Sequence, residues 1–475
     1  MIFHSLDFVL FFAAFTTLYW CLPHRAQNVL LFAGSYFFYG YVHPWFLILI
    51  ASSTIVDYCA ARGMERWPRR RLHFLWMSIV SNFGLLGFFK YFNFFAENVS
   101  HVLTAAGIPL GLPELRILLP VGISFYTFQA MSYTIDVYRG ELHARRSLLD
   151  VAVFISFFPH LVAGPIQRAS YLLPQVEHSR RFALDKARTG FALICWGFFK
   201  KLVVADNVGV IANRVFALAD PSFPILWAGV FAFAIQIYAD FSAYTDIARG
   251  TSRWLGFELT PNFEHPYLAR SPSDFWRRWN ISLSTWFRDY VYLPLGGSRT
   301  GGIAWARNVL VTFLLSGLWH GASWNYVLWG FYHGLLLVAT RARSILRPAA
   351  EPPALPAAVV PLVAFARIAG MFVLTCIGWL LFRETQLSAI VRDFGLSPFA
   401  ASALDRRTGL YLFLVALMYS LPLWMHSIAA ESGARTEQPM RWPRLVLQGA
   451  ACGLAFGAIL VLRSRTSLDF IYFQF

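Results

Sequence analysis

IAWARNVLVTFLLSGLWHGASWNYVLWGFYHGLLLVATR, residues 303 to 341, decides how this chain folds. One membrane crossing takes about 20 apolar residues, so the block is long enough for two passes. In its middle, SGLWHGASWNY (316 to 326) sets His320 between the apolar runs Val309 to Leu315 and Val327 to Val338. An ionisable side chain inside a membrane segment is costly and marks a functional site by default. Gly317 and Gly321 flank the imidazole, which predicts room there for a ligand backbone or thioester. A neutral imidazole is suited to accept a hydroxyl proton near pH 7, so His320 is the candidate catalytic base. The competing reading is a histidine that donates to a helix carbonyl. His333 would be rotated about 220° from His320 on one continuous helix, so the two need not share a site.

Outward from this block, apolar runs recur at about residues 6–22, 28–42, 45–61, 74–95, 117–136, 149–166, 189–217, 224–247, 358–382, 409–427 and 443–462. The pattern predicts an all-α polytopic membrane protein, a single domain over residues 1–475 with no internal repeat. Composition agrees: of 475 residues 57% are hydrophobic, 17% aromatic and only 14% charged, with a mean hydropathy of +0.52. A soluble globular protein carries roughly 25% charged residues, so that class is excluded. The net charge of +15 is dispersed among loops, which points to cytoplasmic loop anchoring and not to nucleic acid. Cys21, Cys59, Cys195, Cys376 and Cys452 lie singly in apolar surroundings, with no metal-ligand spacing, so no metal site is expected. The first run follows MIFHSLDF, lacks a basic n-region and cleavage site, and reads as a retained span. Flexible linkers are expected at Arg347 to Pro356 and Glu431 to Pro443.

Loop charges give an orientation. Arg62, Arg66, Arg69, Arg70 and Arg71 against Glu65 put that loop in the cytoplasm, and counting back leaves the N-terminus outside. Arg25 then falls inside and the uncharged YVHP (41 to 44) outside. Basic stretches on both sides of block 149–166 break the alternation. Pro159, Gly164 and Pro165 interrupt that block, so it is expected to be re-entrant, with a cavity near Phe158 to Gln167.

A hydrophilic interruption, Arg249 to Thr300, contains a helix start at Ser271 with Pro272 at its first position. Phe275, Trp276, Trp279, Leu283, Trp286, Phe287 and Tyr290 then share one face at 100° per residue, which predicts one amphipathic helix, suited to lie in the membrane interface or to wedge among the spans. Asn280 falls at the border of its apolar arc. Arg277 and Arg278 are suited to attract the phosphates of a thioester carrier, or to ordinary interfacial anchoring. Asp240 and Asp246 lie six residues apart and point to different sides. Asp240 is expected to be a structural or supporting partner of an Arg or His.

FPHLVAGPI (158 to 166), IYADFSAYTDIARG (237 to 250), SPSDFWRRWNISLSTWFRDYVYLPLGG (271 to 297) and GLWHGASWNYVLWG (317 to 330) resemble the membrane-bound O-acyltransferase family. Within it the likeness is to the bacterial alginate O-acetylation membrane proteins, with teichoic acid D-alanyl transfer proteins more distant. The motifs span 158–330, while the spans from 358 to 475 match in character only. The resemblance implies a ring of about 11 transmembrane helices, plus re-entrant and interfacial helices, around a central tunnel. It places the family histidine at His320 and a second polar residue at Asn280, where close relatives usually carry His. Asn cannot accept a proton at neutral pH, so it would orient donor or acceptor. Further donor or tunnel candidates are Trp276, Arg277, Arg278, Trp279, Asp240, His160, Trp319 and His333.

The expected reaction is transfer of an acyl group, most simply acetyl, from a cytoplasmic thioester such as acetyl-CoA across the bacterial inner membrane. It would serve O-acetylation of an exopolysaccharide such as alginate. No tightly bound cofactor is expected. The expected partners are membrane lipid, a periplasmic acetyltransferase and a polysaccharide biosynthesis complex, and no nucleic acid. The alternative is a transporter or scaffold subunit of a polysaccharide export complex.

Overall fold

The computed structural model describes residues 1–108, 115, 117–346, 356, 359–433, 442–466 and 468–471. Every regular element among them is helical. Helices satisfy their backbone internally, which lipid demands. Among the described residues six helical stretches are long and apolar enough to cross a membrane: Phe46–Arg66, Pro68–Ala105, Phe223–Trp254, Gly302–His320, Val359–Arg383 and Ala403–Ser432. Leu6–Trp20 and Val446–Leu462 are apolar but shorter. The expected linkers at 347–356 and 431–443 fall largely outside the described residues. The chain divides into two compact units, Met1–Ile194 with Tyr244–Thr260, and Cys195–Ala243 with Pro261–Phe475.

The first unit contains α1 (Leu6–Trp20), α2 (His24–Gly40), α3 (Phe46–Arg66), α4 (Arg71–Leu86), α5 (Phe92–Ala105), α6 (Ile123–Arg139), α7 (Leu148–Ser156), α8 (Phe158–Leu161), α9 (Ala169–Glu177) and most of α10 (Leu184–Phe199). A fully buried carboxylate, Asp57, ties α3 to α4. It accepts Asn82 Nδ2 at 2.9 and 3.1 Å and the Ser78 hydroxyl, while Ser53 Oγ donates to Asn82 Oδ1 at 2.7 Å. Apolar helices with no charge pair are thereby joined by hydrogen bonds, which hold where the surroundings offer no water. The interruption expected in block 149–166 is present. α7 has 9 residues, or about 14 Å of rise, half of a membrane core. It stops at Phe157, ahead of Pro159, and Phe158 N–H donates to Ser35 Oγ at 3.0 Å. Residues 158–167 are all buried in this unit.

The second unit holds the end of α10, a π-helical turn Lys200–Ala205, α11 (Asp206–Phe216), most of α12 (Phe223–Trp254), α13 (Pro272–Arg278), α14 (Ile281–Phe287), α15 (Gly302–His320), α16 (Trp324–Leu346), α17 (Val359–Arg383), α18 (Leu387–Phe394), α19 (Ala403–Ser432) and α20 (Trp442–Leu462). Block 303–341 is a helical hairpin. α15 ends at His320, the backbone is extended at Gly321, and α16 returns from Trp324. The two helices cross glycine to glycine: a Cβ on Gly317 would lie 2.1 Å from the Tyr326 carbonyl oxygen, and one on Gly330 2.2 Å from that of Phe313. A Cβ on Gly321 would meet the Tyr326 ring at 2.1 Å. The room expected beside His320 for a ligand is therefore taken up by α16, and these glycines serve close helix packing.

The predicted amphipathic helix is two helices. Ser271 caps α13 by accepting Asp274 N–H at 3.2 Å, as its sequence signal implied. α13 ends at Arg278, Asn280 takes left-handed φ 41° and ψ 54°, and α14 restarts at Ile281. Asn262 makes the break possible. Its carbonyl accepts Ile281 N–H at 2.9 Å and its side-chain oxygen accepts Ser282 N–H at 3.0 Å.

Candidate active site

Because the hairpin reverses at Gly321, His320 and His333 both come against Trp329. The single continuous helix assumed in relating them is replaced by two helices. The Trp329 ring lies 4.9 Å from each imidazole, nearly perpendicular to that of His320 at 84°. Trp319 at 5.0 Å and Phe382 of α17 at 5.3 Å complete the aromatic wall around His320, which is 4% exposed. Around His333, Trp276 stands at 5.1 Å and Phe275 stacks at 6.0 Å. Neither ring nitrogen of His333 has a hydrogen-bond partner among the described residues. Gly378 gives this ring its space, since a Cβ there would come within 2.6 Å of Nε2.

Trp279 links this cluster to Asn280. Its ring lies 4.8 Å from Trp379, which lies 5.7 Å from Phe382. Asn280 itself is 1% exposed, and both polar atoms of its amide lack a hydrogen-bond partner among the described residues. A buried unpaired amide on a left-handed non-glycine backbone is a double cost, of the kind found at functional sites. The border position read from periodicity placed the residue correctly at a boundary, but that boundary is a helix break.

A cavity of about 680 Å³ runs beside the cluster. Trp305, Val309, Thr312, Phe313 and Ser316 line it from α15, Leu337 to Ser344 from α16, and Trp276, Arg277 and Arg288 from the preceding segment. Arg341 sits over the Trp305 ring at 4.2 Å, at one end. Ser316, one helical turn before His320, marks the other. The cavity expected at Phe158 to Gln167 is not the one that reaches these residues.

The arginine pair divides its roles. Arg277 is mostly exposed and only 3.7 Å from Asp274, and it faces the cavity. Arg278 is tied to Asp274 and Glu431, each at 3.0 Å, and so clamps α13 to α19. Partial burial works to raise the Asp274 carboxyl, but the Arg270 N–H and the Arg278 guanidinium outweigh it and hold the group below its usual range.

Asp240 is not part of the histidine cluster. Its partner is Lys201, at 3.1 Å, where an Arg or His was expected. Lys201 also pairs with Asp206 at 2.8 Å and donates to the Leu468 carbonyl at 2.9 Å, while Asp240 accepts Ile471 N–H at 2.8 Å. The π-helical turn brings this lysine inward. His160 belongs to the first unit, 4% exposed, with neither ring nitrogen partnered among the described residues. Trp329, Phe382 and Trp379 were missed by sequence reasoning. For Trp329 the signal was available in the LWG that follows the histidine motif. No group of three or more His, Cys, Asp or Glu with metal-binding geometry occurs among the described residues.

Residues 141–383 match the sequence profile of MBOAT, the membrane-bound O-acyltransferase family. Over its whole length the chain is 36% identical, across 505 aligned residues, to a Pseudomonas putida protein named "Probable alginate O-acetylase AlgI", which is itself fully covered. It is 34% identical to the peptidoglycan O-acetyltransferase of Helicobacter pylori over 69% of this chain and 67% of that one. Teichoic acid D-alanyltransferase of Bacillus subtilis is 29% identical, over 47% and 60%. With a hairpin histidine walled by aromatics, a profile match over half its length and a relative alignable from end to end, this chain belongs to the membrane-bound O-acyltransferase family and is an acyltransferase.

Proposed function

We propose that the protein moves an acetyl group from a cytoplasmic thioester, acetyl-CoA or another carrier thioester, to a hydroxyl acceptor for O-acetylation of an exopolysaccharide such as alginate. His320 acts as general base. It takes the proton as the hydroxyl oxygen attacks the thioester carbonyl, and returns it to the sulfur as the carbon–sulfur bond breaks, so no net proton is consumed. Asn280 orients the thioester carbonyl or the acceptor, since its amide cannot take the proton. The observation that carries the reading is the cavity lined both by Ser316, one turn from His320, and by Arg277, Arg288 and Arg341. From Trp305 to His320 the helix rises about 22 Å, a distance suited to an extended pantetheine arm whose phosphate lies near Arg277, Arg288 and Arg341.

In this reading the protein works in the bacterial inner membrane with its N-terminus in the periplasm. The immediate acceptor belongs to a periplasmic acetyltransferase within a polysaccharide biosynthesis complex. The test incubates membranes with labelled acetyl-CoA and follows thiol release and label transfer. His320→Ala is expected to lose about 10²–10⁴-fold in rate at normal protein level. Unchanged acetylation by that variant rejects the assignment.

A further inference from the structure

Trp329 is the centre of the aromatic cluster, within 6.3 Å ring to ring of His320, His333, Trp276, Phe382 and Trp379. It is fully buried, and its indole nitrogen has no hydrogen-bond partner among the described residues. Buried tryptophans normally find an acceptor for this group. The neighbouring Trp379, equally enclosed, donates to Tyr267 Oη at 3.1 Å, and Trp305 donates to Tyr292 Oη at 2.9 Å. A buried donor left unmet costs stability. The Trp254 and Trp276 indole nitrogens are also unpartnered among the described residues, and of these three rings Trp329 is the one in contact with the candidate base.

We propose that Trp329 is a catalytic hydrogen-bond donor: its indole N–H engages the thioester carbonyl oxygen and binds it more strongly as that oxygen gains negative charge. The assignment rests on the acyl-transfer reading and deepens it by naming the oxyanion donor. Three features support it. The indole is donor-only, so it complements an oxygen acceptor and cannot compete with His320 for the hydroxyl proton. Its position is set by the helix crossing, because Gly330, the next residue, is pressed against the Phe313 carbonyl and leaves the backbone no freedom to shift. A donor fixed beforehand in a water-poor site stabilises developing charge without reorganisation. Finally, the Asn280 amide of the same unit is likewise buried and unpartnered among the described residues.

The test replaces Trp329 in the full-length membrane protein with 3-benzothienylalanine, which keeps the ring outline and substitutes sulfur for N–H. Trp329→Phe is made alongside, and His320→Gln is the reference. Acetyl transfer from acetyl-CoA is followed with protein level and thermal midpoint. The isostere is expected to lower kcat by about 10²–10³-fold, with KM within about twofold and an unchanged midpoint. An isostere with wild-type kcat, beside an inactive His320→Gln, overturns the hydrogen-bond assignment and leaves the acyl-transfer reading standing. An active His320→Gln sinks the acyl-transfer reading itself, and the donor role with it. If Trp329→Phe fails to fold, the isostere alone decides.

Discussion

Two polar clusters lie buried in the second unit, and they are opposites. Around Lys201 the charges meet one another: the ammonium lies 2.8 Å from Asp206 and 3.1 Å from Asp240, it donates to the Leu468 carbonyl, and Asp240 accepts Ile471 N–H. Around His333, Trp329 and Asn280 the polar atoms have no partner within the protein's described residues. Polarity that is cross-satisfied holds helices together, whereas polarity left open costs stability and is retained where a ligand completes it. The comparison separates scaffold from site without reference to which residues are charged. By charge alone, Asp240 and Lys201 would have been the favourites.

The largest effect expected on this contrast is that of His320→Ala, a loss of about 10²–10⁴-fold in transfer with little change in unfolding. Lys201→Met should behave in the reverse manner. It leaves two carboxylates facing each other and costs about 3–5 kcal/mol of stability, read as a lower thermal midpoint in detergent. The folded fraction should transfer acetyl at the wild-type rate, and adding Asp240→Asn should recover part of the loss. A Lys201→Met protein of normal stability but low activity would move this cluster from scaffold to site.

Asn280 offers a finer cut, because backbone and amide can be separated. Asn280→Gly removes the amide but tolerates the left-handed backbone. Asn280→Ala removes the amide and adds about 1–2 kcal/mol of strain. Both should lower kcat by roughly 10–100-fold, with only the alanine variant less stable. A glycine variant of full activity would show that the break, and not the amide, is what matters. Smaller still, Arg277→Ala should raise the KM for acetyl-CoA by about 3–10-fold at unchanged kcat, while Arg278→Ala affects stability and not KM. The last test uses pH. Asp274 is held below its usual range, so its contribution is complete above the ordinary carboxylate pKa and is lost as pH falls through the lowered value. Acidification should therefore lower the thermal midpoint more in wild type than in Asp274→Asn.

Much of this organisation was legible in the chain. Apolar length gave the six long helices able to cross a membrane among the described residues, Pro159 the interruption after α7, and Ser271 with Pro272 the start of α13. The break at Asn280 was hidden because apolar residues continue at helical spacing straight through it. What ends α13 is supplied by Asn262, a tertiary partner that periodicity cannot reveal. The same holds for Gly317 and Gly321. Their lack of side chains was plain, but whether a ligand or a helix filled the space depended on where Tyr326 returned. The rotation between His320 and His333 was read along one helix axis, and the turn at Gly321 replaces that axis with a fold-back.

The pairing of Lys201 with residues 468 and 471 has a consequence for biogenesis. Leu468 is separated from Lys201 by 267 positions. At roughly 5–20 residues per second, the ribosome takes on the order of tens of seconds to deliver it. Asp206 and Asp240 emerge early and can neutralise the lysine in the meantime, but the Leu468 acceptor arrives much later. A nascent chain halted before that point holds a buried ammonium without this acceptor, so residues 468–471 close the wrapping of a charge laid down much earlier.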